Sequence, residues 1–101
     1  MEKVTQELMH SLVGEEIDVF SLQSEQRVGK LAITKVEKGR IDTEEFSSFS
    51  ISLLGDPKNQ LPQDNYLFKH SAFGEYPMFM SIHDVDKYQI IISRQRNREV
   101  G

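Results

Sequence analysis

Cysteine is absent from this chain. That absence removes disulfides, thiolate zinc sites and cysteine nucleophiles together, and it fits a reducing compartment. Also missing is any apolar run near the ~20 residues that a bilayer crossing takes. The opening Met-Glu-Lys-Val-Thr-Gln-Glu lacks the basic-then-apolar order of a signal peptide. A cytoplasmic location and no membrane partner are the expectations that follow. There is no basic excess either: twelve Lys and Arg stand against sixteen Asp and Glu, a net charge of −4. Phosphate neutralisation supplies most of the affinity of nucleic-acid binders, so this balance disfavours that class.

What remains is globular in character. The 101 residues, 38% of them apolar and 9% aromatic, suit one domain with one core and argue against disorder. The expected division is a single β domain over residues 1–93 with an N-terminal helix, then a polar tail over 94–101. Thr5 reads as a helix cap, Leu8, Met9, Leu12 and Val13 fall at helical spacing over about ten residues, and Gly14 reads as the stop. So short a helix must lie on something apolar.

After Gly14 the period changes to two. Strands are predicted over residues 17–22, 28–37, 46–54, 65–70, 75–83 and 88–93. In the second, Leu31 and Ile33 share one side and Ala32, Thr34 and Val36 the other. Lys38–Glu45 reads as a charged connection around Gly39, and Gly29 and Gly39 as turn residues. The third strand puts Phe49, Ile51 and Leu53 on one face and a row of serines, Ser48, Ser50 and Ser52, towards solvent. In the fifth, Tyr76, Met78, Met80 and Ile82 oppose Pro77, Phe79, Ser81 and His83. The sixth, nearly all apolar, suits a central position. Short connections imply antiparallel pairing. The fold class is therefore mainly β, a small antiparallel six-stranded barrel or sandwich with one short N-terminal helix.

The order Phe49-Ser-Ile-Ser-Leu-Leu-Gly-Asp-Pro57, Leu61-Pro62-Gln63, Tyr66, His70, Gly74 and Met78-Phe79-Met80 resembles a family of small bacterial proteins of about this length. It is a domain-of-unknown-function group with an FSLxFxGP…LPQGxYxxxHxxLGxxxLFLVP core. Leu12-Val13-Gly14 with Ile17 resembles the family's LVGxxF opening, and Tyr88-Gln89-Ile90-Ile91-Ile92 its closing YxAxF strand. The chain departs from the pattern at Asp56, at Asp64 where glycine is usual, and at Ser81-Ile82-His83 where Val-Pro-Val is usual. The resemblance implies the β fold and, through members that accompany phage-tail-like proteins, an assembly role. The family has no assigned activity to carry over.

The candidate chemistry is sparse. His70 matches the family's histidine; its ring nitrogens are expected to bond the backbone of the turn ending at Gly74, or the preceding long loop, as a structural device. The competing reading makes His70 a base beside a carboxylate such as Asp64 or Glu75, in a small enzyme or ligand-binding protein. His83-Asp84-Val85-Asp86 is the densest metal candidate, but aspartates are ordinary turn chemistry, and no metal or cofactor is expected. Nucleotide-loop and GxSxG motifs are absent. Tyr66, Tyr76 and Tyr88 with Met78 and Met80 invite a binding groove, but strand spacing favours core. Arg94, Arg96 and Arg98 offer a phosphate or acidic-partner face if the last strand continues, and otherwise a solvated tail. The Gly55–Asp64 loop, with two of the three prolines, is the preferred interface, through Asp56, Pro57, Asn59, Gln60, Gln63 and Asp64. The expectation is a non-enzymatic protein-interaction or assembly module with a protein partner; a homo-oligomer is left open.

Overall fold

The computed structural model describes residues 4–42 and 46–95. Helix α1 spans Gln6–Ser11, shorter than its apolar spacing suggested. Thr5 caps it, the Oγ1 accepting the Leu8 N–H at 3.1 Å, and the chain leaves the helical region at Gly14, φ +97°. Six strands follow: β1 (Glu16–Ser21), β2 (Arg27–Asp42), β3 (Phe46–Leu54), β4 (Asp64–His70), β5 (Gly74–Asp84) and β6 (Lys87–Gln95). They close into an antiparallel barrel in the order β1-β2-β3-β6-β5-β4, with β4 returning to β1.

The inner face follows the alternation of each strand. Ile17 and Val19, Leu31 and Ile33, Phe49, Ile51 and Leu53, Tyr66 and Phe68, Met78 and Met80, and Tyr88, Ile90 and Ile92 are all buried. Val4, Met9 and Leu12 bring the helix segment onto this core beside β2. Each large side chain so buried contributes ~1.5–3 kcal/mol, which holds a helix too short to stand alone.

Bulges reset the pattern on β2. Ile33 pairs with Leu53 but Lys35 with Ser52, so Thr34 is an extra residue. Val36 therefore joins Leu31 and Ile33 inside the barrel instead of facing away from them. A second bulge at Val28 lies between the Val19–Gly29 and Phe20–Arg27 pairs, which places Gly29 within the strand and not in a turn.

The expected connection at Lys38–Glu45 is also corrected. β2 runs on to Asp42, with Asp42 opposite Ser47, and residues 43–45 lie outside the described residues. Gly39 sits inside this strand because Ser48 crosses directly over it. A Cβ there would stand 3.0 Å from the Ser48 carbonyl carbon. Ser48 is in consequence buried, whereas Ser50 and Ser52 are half-buried on the outer wall. β6 runs past the strand end expected at 93 to include Arg94 and Gln95, and Arg96, Asn97 and Arg98 lie outside the described residues.

β3 and β4 are three strands apart whichever way one counts round the barrel. The connection 55–63 must therefore cross the barrel mouth, which explains its length. Leu61 points down into the core, 6% exposed, and the other side chains ride above.

Closure is uneven. β3 and β6 pair over nine residues, but β5 and β6 only at Ser81–Gln89, Ile82–Tyr88 and Asp84–Lys87, near the end crossed by the 55–63 connection. Pro77 in β5 costs the ladder little: it pairs with Leu67 of β4, and among the described residues no strand flanks β5 on its other side at that level.

Candidate functional site

The crossing loop was the first candidate, and its polar groups are largely spent on the barrel itself. Asp56 accepts the Lys58 N–H on its carboxylate at 2.9 Å and the Asn59 N–H on its carbonyl, with Pro57 at the corner of the turn. The Asn59 side-chain amide donates to the Val28 carbonyl at 3.1 Å. Gln63 accepts the Ile82 N–H at 3.2 Å. Gly55 donates to the Asp86 carbonyl, and Asp64 accepts the N–H of Asn65. Residues 56–60 and 62–64 nevertheless stay exposed, and Leu61 alone of this stretch is buried. The loop is a strap stitched to β2 at Val28, to β5 at Ile82 and to the β5–β6 turn at Asp86, with an exposed outer rim.

Two phenols fasten its underside. The buried Tyr88 hydroxyl accepts the Leu61 N–H at 2.9 Å, and the Tyr66 hydroxyl donates to the Pro62 carbonyl at 2.6 Å. Burial lifts the Tyr66 pKa above the usual phenol value, helped by the Asp64 carboxylate and by Tyr88. Tyr66, Tyr88, Met78 and Met80 are core, not groove.

His70 lies at the far end of β4, away from the strap. Its Nδ1 accepts the Ala72 N–H at 2.9 Å, which bonds the ring to its own turn as expected. The ring proton then belongs on Nε2 and is donated to the Glu15 carboxylate at 2.9 Å. The ring stacks on buried Phe73, and Gly74 ends the turn at φ +85°, a conformation side-chain-bearing residues rarely adopt. Neither carboxylate expected beside His70 is there. Asp64 begins β4 at its opposite end, and Glu75 pairs with Lys69 at 3.5 Å. Glu15, 55 positions away, escaped sequence reasoning because only the β1–β4 pairing brings it near.

At the β5–β6 turn, Asp84 accepts the Val85 N–H and His83 lies 3.4 Å from the Ser81 hydroxyl. Among the described residues no three His, Asp or Glu converge as a metal site would require. No helix among them is long and apolar enough to cross a membrane.

A different surface emerges from the strand order. On the outer wall formed by β3, β6, β5 and β4, Ser52, Gln89 and Ser81 stand in one paired row. The next row holds Ser50 opposite Ile91, with Phe79 two residues from Ser81 on the same face. Asn65 pairs with Phe79, and Leu67 with Pro77. None of these outward residues is charged, in a chain where 28% of residues are. Ile91 is 63% exposed and Phe79 48%. Among the described residues, charges flank this surface as Lys35–Glu37 at 2.9 Å, Lys69–Glu75 at 3.5 Å and Lys87–Asp86 at 3.5 Å, with Asp84 beside the last pair. A groove of about 350 Å³ opens at the border nearest the 55–63 connection, lined by Thr34, Ser52, Leu54, His83, Lys87 and Gln89 among others. The wall across the barrel differs: β1 and β2 carry Asp18–Arg27 and Glu16–Lys30 ion pairs.

Comparison with curated proteins finds no match, and neither does comparison with solved structures. Residues 4–92 match a family described as a domain of unknown function (DUF6916), and the chain belongs to that family.

Proposed function

We propose that this protein is a non-enzymatic protein-interaction module, an accessory part of a larger multi-protein assembly such as a phage-tail-like particle, and that it works through the β3-β6-β5-β4 outer wall. The observation that carries the reading is the wall's composition. Depletion of charge around exposed Phe and Ile, bordered by charged residues, is the anatomy of a protein interface with its dry centre and wet rim. The strap contributes at most its free edge at Pro57, Gln60 and Asp64. The arrangement at His70 supports the same reading: both ring nitrogens are engaged, one of them by backbone, as in a structural histidine.

Cross-linking with mass spectrometry in an extract of the host tests it. The border lysines Lys35, Lys69 and Lys87 are expected to link to another protein chain, and Phe79→Lys with Ile91→Lys is expected to remove those links without changing the melting temperature by more than a few degrees. Links that survive the double variant count against the wall as the interface.

A further inference from the structure

We infer that the barrel takes up an extended segment of a partner protein as an added strand, in the gap between β5 and β6; the inference rests on the interaction reading above and gives that contact its geometry. The gap begins at the Ser81–Gln89 pair, on the side away from the 55–63 connection. Past that pair, among the described residues, β5 pairs only with β4 and β6 only with β3. Exposure changes at the same point. Ser81 and Gln89 are half-buried, whereas Phe79 and Pro77 on one bank and Ile91 and Ser93 on the other are exposed.

Three side-chain contacts fix which way the main-chain groups point. The Ser52 carbonyl accepts the Thr34 hydroxyl at 3.2 Å, so Ser52 faces β2. Phe49 and Ile51 therefore face β6, and their partners Ile92 and Ile90 spend their N–H and C=O on β3. Gln89, Ile91 and Ser93 face the other way, and the Gln89 carbonyl duly accepts the Ser81 hydroxyl at 3.2 Å. On β5 the Ile82 N–H turns to Gln63, on the β4 side, which leaves Ser81, Phe79 and Pro77 facing β6. Among the described residues, the N–H and C=O of Phe79, Ile91 and Ser93 and the C=O of Pro77 thus have no strand to pair with.

Such an edge is a template for an incoming strand unless proline or charge blunts it. Pro77 blunts the β5 bank. The β6 bank, Ile90-Ile91-Ile92-Ser93, carries neither. The gap also selects its occupant. No β5–β6 ladder bond has to break for a strand to enter below Ser81. β5 stands opposite, so a strand already built into another barrel is shut out and a free segment is admitted. Met78, Met80, Ile90 and Ile92, each no more than 6% exposed, fill the space beneath. The inward residues of the segment must therefore be small, and its outward ones, lying between Phe79 and Ile91, apolar. Main-chain bonds supply the affinity and this alternation the choice of sequence.

A random heptapeptide library selected against the full chain, followed by amide NMR, tests this. In the free chain the Ile91 and Ser93 amide protons are expected to exchange faster than those of Ile90 and Ile92. Selected peptides are expected to alternate small and apolar residues and to slow exchange at Ile91 and Ser93. Ser93→Pro, which removes a gap-facing N–H, is expected to weaken them about tenfold, and Ser93→Ala, which keeps it, to leave them unchanged. Should Ser93→Pro lose the dispersion of the folded chain, N-methylation of alternate peptide residues makes the same test from the other side: one of the two alternate sets is expected to lose binding. Slow exchange at Ile91 and Ser93 in the free chain, no enriched peptide, or peptides indifferent both to Ser93→Pro and to methylation overturns the inference. In that event, cross-links in the extract that still depend on Phe79 and Ile91 would leave the interaction reading standing, and their absence would remove both.

Discussion

One phenol and one imidazole show how little of the polar chemistry here is free. Tyr66 is neutral in its favoured state, and its pKa is raised from the ordinary 10.0 by burial first. Below that pH both folded and unfolded chains hold the phenol proton, and the stabilisation is complete. Above it the unfolded chain loses its proton first, so stability falls as pH climbs towards the folded value. Tyr66→Phe should flatten this alkaline limb in denaturant titrations at pH 9–11. At neutral pH it should cost about 1 kcal/mol, because the Pro62 carbonyl is left without its donor. For His70 the measurable quantity is the tautomer. Long-range ¹H–¹⁵N spectra of the neutral ring should show the proton on Nε2 and a lone pair on Nδ1; the reverse pattern would contradict the Ala72 contact. The sequence revealed that His70 would bond its own turn, since that partner is local. Glu15 was hidden because its partnership depends on which strand neighbours which.

At the scale of elements, alternation located five strands to within two residues at either end, and β3 fully, but ended β2 five residues early. It failed where the count of residues is not even. Thr34 and Val28 are inserted residues, and nothing in a single sequence marks a bulge without its partner strand. Gly39 was misread for a related reason: glycine serves turns and close crossings alike, and only the Ser48 backbone lying over it decides the matter. Gly39→Ala should destabilise by about 1–3 kcal/mol in chemical denaturation, as overpacking does. The β1–β2 turn has the opposite fault. Glu25 is held at φ +62°, a left-handed conformation that costs a side-chain-bearing residue ~1–2 kcal/mol. Glu25→Gly should therefore raise stability by about 0.5–1 kcal/mol, read as a higher denaturant midpoint at unchanged slope.

For the molecule as a whole, sequence periodicity reached the fold class but not the strand order, and the candidate surface depends on that order. Two outward sets were legible from alternation, Ser50 and Ser52 of β3 and Phe79 and Ser81 of β5. The nearly all-apolar β6 hid that Ile91 faces out, and Ser48, expected outside, is buried. Only the neighbour relations β3-β6-β5-β4 gather the outward residues into one uncharged wall. The same ignorance of order made the 55–63 loop look like a free interface, when it is the one segment obliged to travel across the barrel. Leu61 is its plug, and Leu61→Ala should cost about 2–4 kcal/mol, with amide exchange quickening first in the residues bonded to the strap, such as Ile82.

That obligatory crossing also says where the chain tolerates additions. Length and polarity would lead an engineer to splice a tag or a reporter into residues 55–63. Yet lengthening this span would pull apart bonds that tie it to Val28, Ile82, Asp86 and Tyr88 at once. The tight corner at residues 22–25 is the better splice point, since most of its bonds stay within residues 21–26.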